Sequence, residues 1–145
     1  MKAKQLLLIA AATLCLSGVS STAFAQDDGD DGHVFAVSTY QWPFNNLEDI
    51  FALMEETQGL VDENEYILSR KVLTHEWAGD FSVMTIVEYA SLADVDKAQE
   101  RGTALFNAKY PDEADREARG EQFAELTGTS MHVDNILRGN PALAK

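Results

Sequence analysis

Between Tyr66 and Ala90 the chain is dense in apolar residues and is broken once, at Ala78-Gly79-Asp80, a pattern that predicts two strands folded back on each other. The second limb, Phe81 to Ala90, is rich in β-branched and aromatic residues. A two-residue period places Phe81, Val83, Thr85, Val87 and Tyr89 on one face, and Ser82, Met84, Ile86, Glu88 and Ala90 on the other. Neither face is cleanly polar. A sheet with helices on one side normally shows a wet alternate face, so both sides of this strand are expected to be covered, the second by a partner protomer.

The same alternation marks a first strand from His33 to Trp42, where Val34, Ala36, Ser38, Tyr40 and Trp42 share a face; Pro43 ends it. Leu47, Ile50, Phe51 and Met54 then recur at steps of three and four, the stripe of a helix running to about Thr57. Asn45 and Asn46 are its N-cap candidates, Asp49 stands where a capping box needs it, and Gly59 is expected to stop the helix. After the hairpin, Ser91 and Asp94 open a second helix whose buried side is Leu92, Val95, Ala98, Leu105 and Phe106, ending near Lys109. Pro111 starts a third, with Asp112, Glu113 and Asp115 at its positive end. Its apolar side is thin, so it is expected at the surface. Gly128 closes it, Ser130 to Leu137 is the last strand, and residues 139–145 form a tail. This order predicts an α+β, ferredoxin-like βαββαβ domain over residues 33–138, with an extra helix before the last strand and a four-stranded antiparallel sheet carrying its helices on one face.

The first 25 residues are not expected to belong to that domain. Lys2 and Lys4 precede an apolar run from Leu6 to Leu16, and Ala23-Phe24-Ala25 carries small residues at the positions a signal peptidase reads. Cleavage after Ala25 would leave a periplasmic or secreted chain, with no membrane insertion once the short apolar run is gone. Cys15, the sole cysteine, would leave with the leader, so a packed core and not disulfides must hold the mature domain. With Lys2 and Lys4 removed, nine basic residues face 24 acidic ones. That balance argues against nucleic acid or an anionic membrane surface as partner. Residues 26–32, acidic and glycine-rich, lack the length and closing Glu of a calcium loop and are read as a solvated tail.

His33, His75 and His132 match no metal-ligand spacing, so no metal and no cofactor are expected. No cysteine nucleophile and no G-x-S-x-G motif is present in the mature segment. A three-residue hairpin turn would set Trp77 opposite Phe81, His75 opposite Val83 and Ser69 opposite Tyr89, bringing His75, Trp77 and Tyr89 to the helix side. A four-residue turn would bring Arg70, Thr74 and Glu76 there instead, because a one-residue slip flips every side chain. Glu88, beside Met84 and Ile86, is expected to pair with Arg70 or Lys71 across the dimer interface that these three residues define.

The βαββαβ order and the run Val87-Glu-Tyr-Ala-Ser-Leu-Ala-Asp-Val-Asp-Lys-Ala98 at the strand-to-helix junction resemble the dimeric α/β-barrel superfamily, which includes antibiotic-biosynthesis-type monooxygenases, NIPSNAP-like proteins and stress-responsive A/B-barrel proteins. The resemblance implies a homodimer whose sheets pack face to face, and a small-molecule pocket between sheet and helices. It places ligand-binding residues at Tyr89 and on the first strand at Ser38 or Tyr40, and the three-residue register adds His75 and Trp77 to the expected ligand-binding set. Two roles are then compatible with the chain: binding a small apolar or aromatic molecule, or cofactor-independent oxygenation or related chemistry, with His75 as acid/base and Tyr40 and Tyr89 orienting the substrate.

Overall fold

The computed structural model describes residues 32–76 and 80–140; the expected leader, the acidic tail up to residue 31, Trp77 at the hairpin tip and residues 141–145 lie outside the described residues. Four strands, β1 (Val34–Tyr40), β2 (Ser69–Thr74), β3 (Val83–Tyr89) and β4 (His132–Arg138), form one sheet in the order β2-β3-β1-β4. All neighbours are antiparallel. The helices are α1 (Leu47–Glu56), α2 (Gln58–Asp62), α3 (Leu92–Lys109) and α4 (Glu113–Thr127). This is the ferredoxin-like α+β arrangement, with helices packed on one side of the sheet and α4 as the added element.

Burial alternates residue by residue along the two central strands, β1 and β3, as the two-residue period of their apolar positions requires. The even-numbered residues of β1 and the odd-numbered ones of β3 face the helices. Cross-strand pairing sorts that face into four rows. Val34 lies beside Tyr89 and Arg138; Ala36 beside Val87 and Ile136, with Arg70 beyond Val87; Ser38 beside Thr85 and Asp134, with Val72 beyond Thr85; Tyr40 beside Val83 and His132, with Thr74 beyond Val83. The first two rows form one apolar cluster, closed by Val95 and Ala98 of α3. The fourth row joins Trp42, Leu47 and Ile50 in a second cluster, closed by Phe51 and Met54 of α1 and by Phe123 and Leu126 of α4.

Several expectations are corrected in detail. Gly59 does not stop the first helix but sits inside α2, with open space where a Cβ would stand. The break falls at Thr57, whose hydroxyl donates to the carbonyls of Leu53 and Met54 and competes with the helical ladder. Asn46 precedes α1 without capping it; its amide donates instead to the Leu126 carbonyl at 2.7 Å and ties the start of α1 to the end of α4. The third helix begins two residues after Pro111, at Glu113, with the Asp112 carboxylate accepting from the Ala114 N–H. At its other end Gly128 takes φ 63°, the conformation that glycine tolerates and other residues resist. The strands are shorter than the alternation implied: Gln41 and Trp42 fall outside β1, residues 66–68 outside β2, and β4 begins at His132.

The hairpin register is the larger correction. Thr74 pairs with Val83, Val72 with Thr85 and Arg70 with Val87, so Arg70, Val72 and Thr74 share the helix face. Ser69, Lys71 and Leu73 turn away from it. His75 carries the parity of the outer face, and its N–H donates to the Ser82 carbonyl at 2.9 Å. Because β3 is apolar on both faces, its pattern accepts either pairing, and the observed one is the alternative that put Arg70 and Thr74 on the helix face.

Candidate functional site

The residues expected to line one pocket are dispersed. Ser38, Tyr40 and Tyr89 all face the helices, but Tyr40 pairs with Val83 at one end of the sheet while Tyr89 pairs with Val34 at the other. Six residues of strand separate those ends, about 20 Å at the usual rise, and each tyrosine belongs to a different apolar cluster. His75 is off the helix face, its ring 4.8 Å from that of Phe81 with Nδ1 buried and unpartnered.

What the fold does assemble is the third row. Ser38 and Thr85, adjacent across β1 and β3, are 8% and 9% exposed and stand between the two apolar clusters. A layer of buried hydroxyls in a core is costly unless each finds a partner. No hydrogen bond joins either side chain to another described residue. Nor are the hydroxyls sealed: among the described residues, the buried side-chain atom with no partner is His75 Nδ1 alone.

On β4, Asp134 lies opposite Ser38 and His132 opposite Tyr40. One strand period brings both side chains to the same face, and His132 Nε2 is 3.3 Å from Asp134 Oδ2. The imidazole stacks on Tyr40 at 5.9 Å between ring centroids, Tyr40 stacks on Trp42 at 4.4 Å, and Trp42 meets Phe123 edge-on at 5.8 Å. The row of hydroxyls thus ends at the Asp134 carboxylate on the β4 edge, and the next row holds the Tyr40–His132 stack. Neither His132 nor Asp134 emerges as a site residue from the alternation, because their placement depends on pairing β4 with a strand nearly a hundred residues earlier. The local signal that exists is the His-x-Asp spacing, which on a strand puts both on one face.

The opposite face of the sheet carries no helix of the described residues. Met84, Ile86 and Glu88 lie on it with Phe35, Val37, Thr39, Lys71 and Leu73, and the edge residues Leu73, Val133 and Leu137 are 46%, 58% and 51% exposed. Within one protomer Glu88 has its own partners. Its carboxylate accepts from Ser69 Oγ at 2.6 Å and meets His33 Nδ1 at 2.6 Å, and these two contacts, with Lys71 nearby, hold its pKa below the ordinary glutamate range. Arg70, on the helix face, donates to Gln58 Oε1 of α2.

A separate concavity of about 330 Å³ opens on the helical side, lined by Tyr110, Asp115, Ala118, Arg119 and Gln122. Its cation is already engaged: Arg119 bonds Glu56 at 2.6 Å and lies 4.1 Å over the Tyr110 ring. No three metal-ligating side chains gather among the described residues, and none of their helices is long and apolar enough to cross a membrane.

No family model and no curated protein matches the sequence. Solved structures do match the fold. A dimeric ferredoxin-like protein from an uncultured marine organism is similar with a TM-score of 0.54 and 12% identity, over 77% of this chain and 91% of that one. A Caulobacter crescentus protein described as a candidate antibiotic biosynthesis monooxygenase gives 0.52 and 12%, over 76% and 92%. SnoaB, a cofactor-independent oxygenase from Streptomyces nogalater, gives 0.50 and 10%, over 79% and 99%. At such identities the likeness is one of fold, and at that level it agrees with the resemblance drawn from the sequence. The chain has the ferredoxin-like fold that antibiotic-biosynthesis-type monooxygenases also have.

Proposed function

We propose that this protein is an exported, homodimeric α/β-barrel protein that binds a small, flat, largely apolar molecule between its sheet and its helices. The observation that carries the reading is the Ser38–Thr85 row, two buried hydroxyls without described partners between two apolar clusters. Apolar walls with a few placed polar groups are the usual make-up of a small-molecule site. Tyr40 and Trp42 supply the flat wall, and the hydroxyls fix the orientation of a polar substituent. The partner protomer covers the helix-free face, which also agrees with the dimeric state of the marine ferredoxin-like protein. Export rests on the leader-like pattern of residues 1–25.

Fluorescence tests the site. In a Trp77→Phe background, emission reports Trp42 alone. Nitrobenzene should quench it saturably, and Ser38→Leu, which fills the row, should reduce that saturable component at least tenfold. Linear collisional quenching in both proteins would defeat the reading. A second reading is turnover of the bound molecule by cofactor-independent oxygenation or related chemistry. It is supported by the electron-rich Tyr40–Trp42 wall and the likeness to SnoaB. Oxygen uptake on addition of 2-naphthol, absent in Ser38→Leu, is its test.

A further inference from the structure

Tyr40 and Trp42, the flat wall of the ligand site proposed above, are 7% and 5% exposed. Phe123 of α4 meets the Trp42 ring edge-on at 5.8 Å, and Leu126, three residues on, packs against the same cluster. A molecule that stacks on this wall reaches it only if something moves, and the element that closes this cluster from the third helix position is α4.

Alpha-helix burial shows which element yields most easily. α1 buries Leu47 and Ile50, and α3 buries Val95, Ala98 and Leu105, whereas Thr127 alone is buried in α4. An element with so little apolar surface to give up opens locally at a lower free energy than the sheet beneath it. Its connections suit a swing. Tyr110 has left helical geometry at φ −121° and ψ 80°, Pro111 follows, and Asp112 is extended at φ −78° and ψ 129°. At the other end Gly128 stands at φ 63°. Tyr110 is buried and its hydroxyl donates to Glu56 Oε1 at 3.2 Å, which anchors the pivot. Arg116 donates to the carbonyls of Tyr110 and Pro111, so the first turn of α4 is braced on the pivot. Two polar ties then hold the helix to the start and end of α1: the Asn46 amide on the Leu126 carbonyl at 2.7 Å, and Arg119 on Glu56 at 2.6 Å. The second pair is solvent-exposed, 32% and 41% at its side chains, and such pairs shift an equilibrium by about fivefold at most.

We infer that α4 is a hinged lid over the aromatic wall. Closed, with Phe123 against Trp42, it shuts the ligand site; it swings about Tyr110–Pro111 and Gly128 to admit a flat apolar molecule, and the Glu56–Arg119 pair is its latch. This rests on the ligand site proposed above and adds how that site is entered. Apparent affinity is lowered by the closed fraction, so loosening the latch tightens binding and fixing it weakens binding.

A reversible lock tests the lid in the mature chain, which Cys15 would leave with the leader. In the Trp77→Phe background, Glu56→Cys with Arg119→Cys removes the latch, and a short bismaleimide with a reducible disulfide in its spacer bridges the two positions. Unbridged, this protein should bind nitrobenzene about threefold tighter than its Trp77→Phe parent. Bridged, it should bind at least tenfold more weakly, and cleaving the spacer should return the affinity, which also shows that bridging did not unfold the chain. Acrylamide quenching of Trp42, which needs no bound ligand, should fall on bridging and recover on cleavage. Equal nitrobenzene binding before and after cleavage overturns the lid and leaves the binding site in place. No saturable nitrobenzene quenching in any form ends the ligand reading, and the acrylamide response alone then supports or overturns the opening of α4.

Discussion

Glu88 shows how one residue couples the fold to pH. Ser69 and His33 lower its folded-state pKa relative to the unfolded chain. The stability it contributes is therefore complete above the unfolded carboxyl's pKa, and it is lost as pH falls through the lower folded value. Urea midpoints should show Glu88→Gln less stable than the parent at pH 6 and indistinguishable from it near pH 2. In Ser69→Ala the Glu88 carboxyl resonance should titrate closer to the ordinary glutamate value. Ile50 is fully buried between sheet and α1, so Ile50→Ala removes methylenes from a packed cluster. The expected loss is about 3 kcal/mol in urea unfolding, within the range for such truncations. Gly128→Ala meets no neighbouring atom but must hold φ 63° with ψ −148°, and is expected to lose about 1–3 kcal/mol through backbone strain alone.

Among the elements, the β2–β3 hairpin decides which side chains meet the helices. Leu73 and Met84 are paired residues on the outer face, whereas Thr74 pairs with Val83. Since Cys15 is the sole cysteine and stands in the predicted leader, cysteines placed at 73 and 84 in the mature chain report register cleanly. They should form a disulfide on mild oxidation, and the 74/84 pair should not; the reverse result, read by mass spectrometry, would restore the other register. The stripe of α1 and the alternation of β1 and β3 were legible because each is a local repeat whose period is set by backbone geometry. The hairpin register was not. Both faces of β3 are apolar, so hydrophobic pattern does not discriminate between pairings one residue apart. The same slip explains why His75, read into the site, stands off the helix face, while Val72 and Arg70 take helix-facing positions on β2.

At the scale of the molecule, the proposed homodimer rests on the face of the sheet that no described helix covers. Exposed apolar residues there, and the half-buried Phe35, Val37, Met84 and Ile86, give this face an apolar character of the kind that marks interfaces. In the proposed homodimer, Met84→Asp places an uncompensated charge against the partner's sheet. Sedimentation should show a dimer for the parent at micromolar concentration and a monomer, or loss of fold, for the variant. A monomeric parent would remove the dimer from the proposal and leave the ligand site to stand separately.

The candidate site divides along similar lines. Ser38 and Tyr40 could be placed on one face of β1 from their spacing alone, because side chains two apart on a strand always share a side. That Ser38 neighbours Thr85, and that Asp134 and His132 complete the rim, follows from which strands pair and in what register, a matter of contacts between residues far apart in the chain. The sequence by itself determined the identity and period of the elements and hence the fold class, since these depend on local repeats of apolar positions. The tertiary structure alone decided that Tyr40 and Tyr89 lie at opposite ends, that Glu88 meets His33 and Ser69, and that an imidazole–carboxylate pair stands beside the buried hydroxyls, because non-local pairing has no periodic trace in the order of residues.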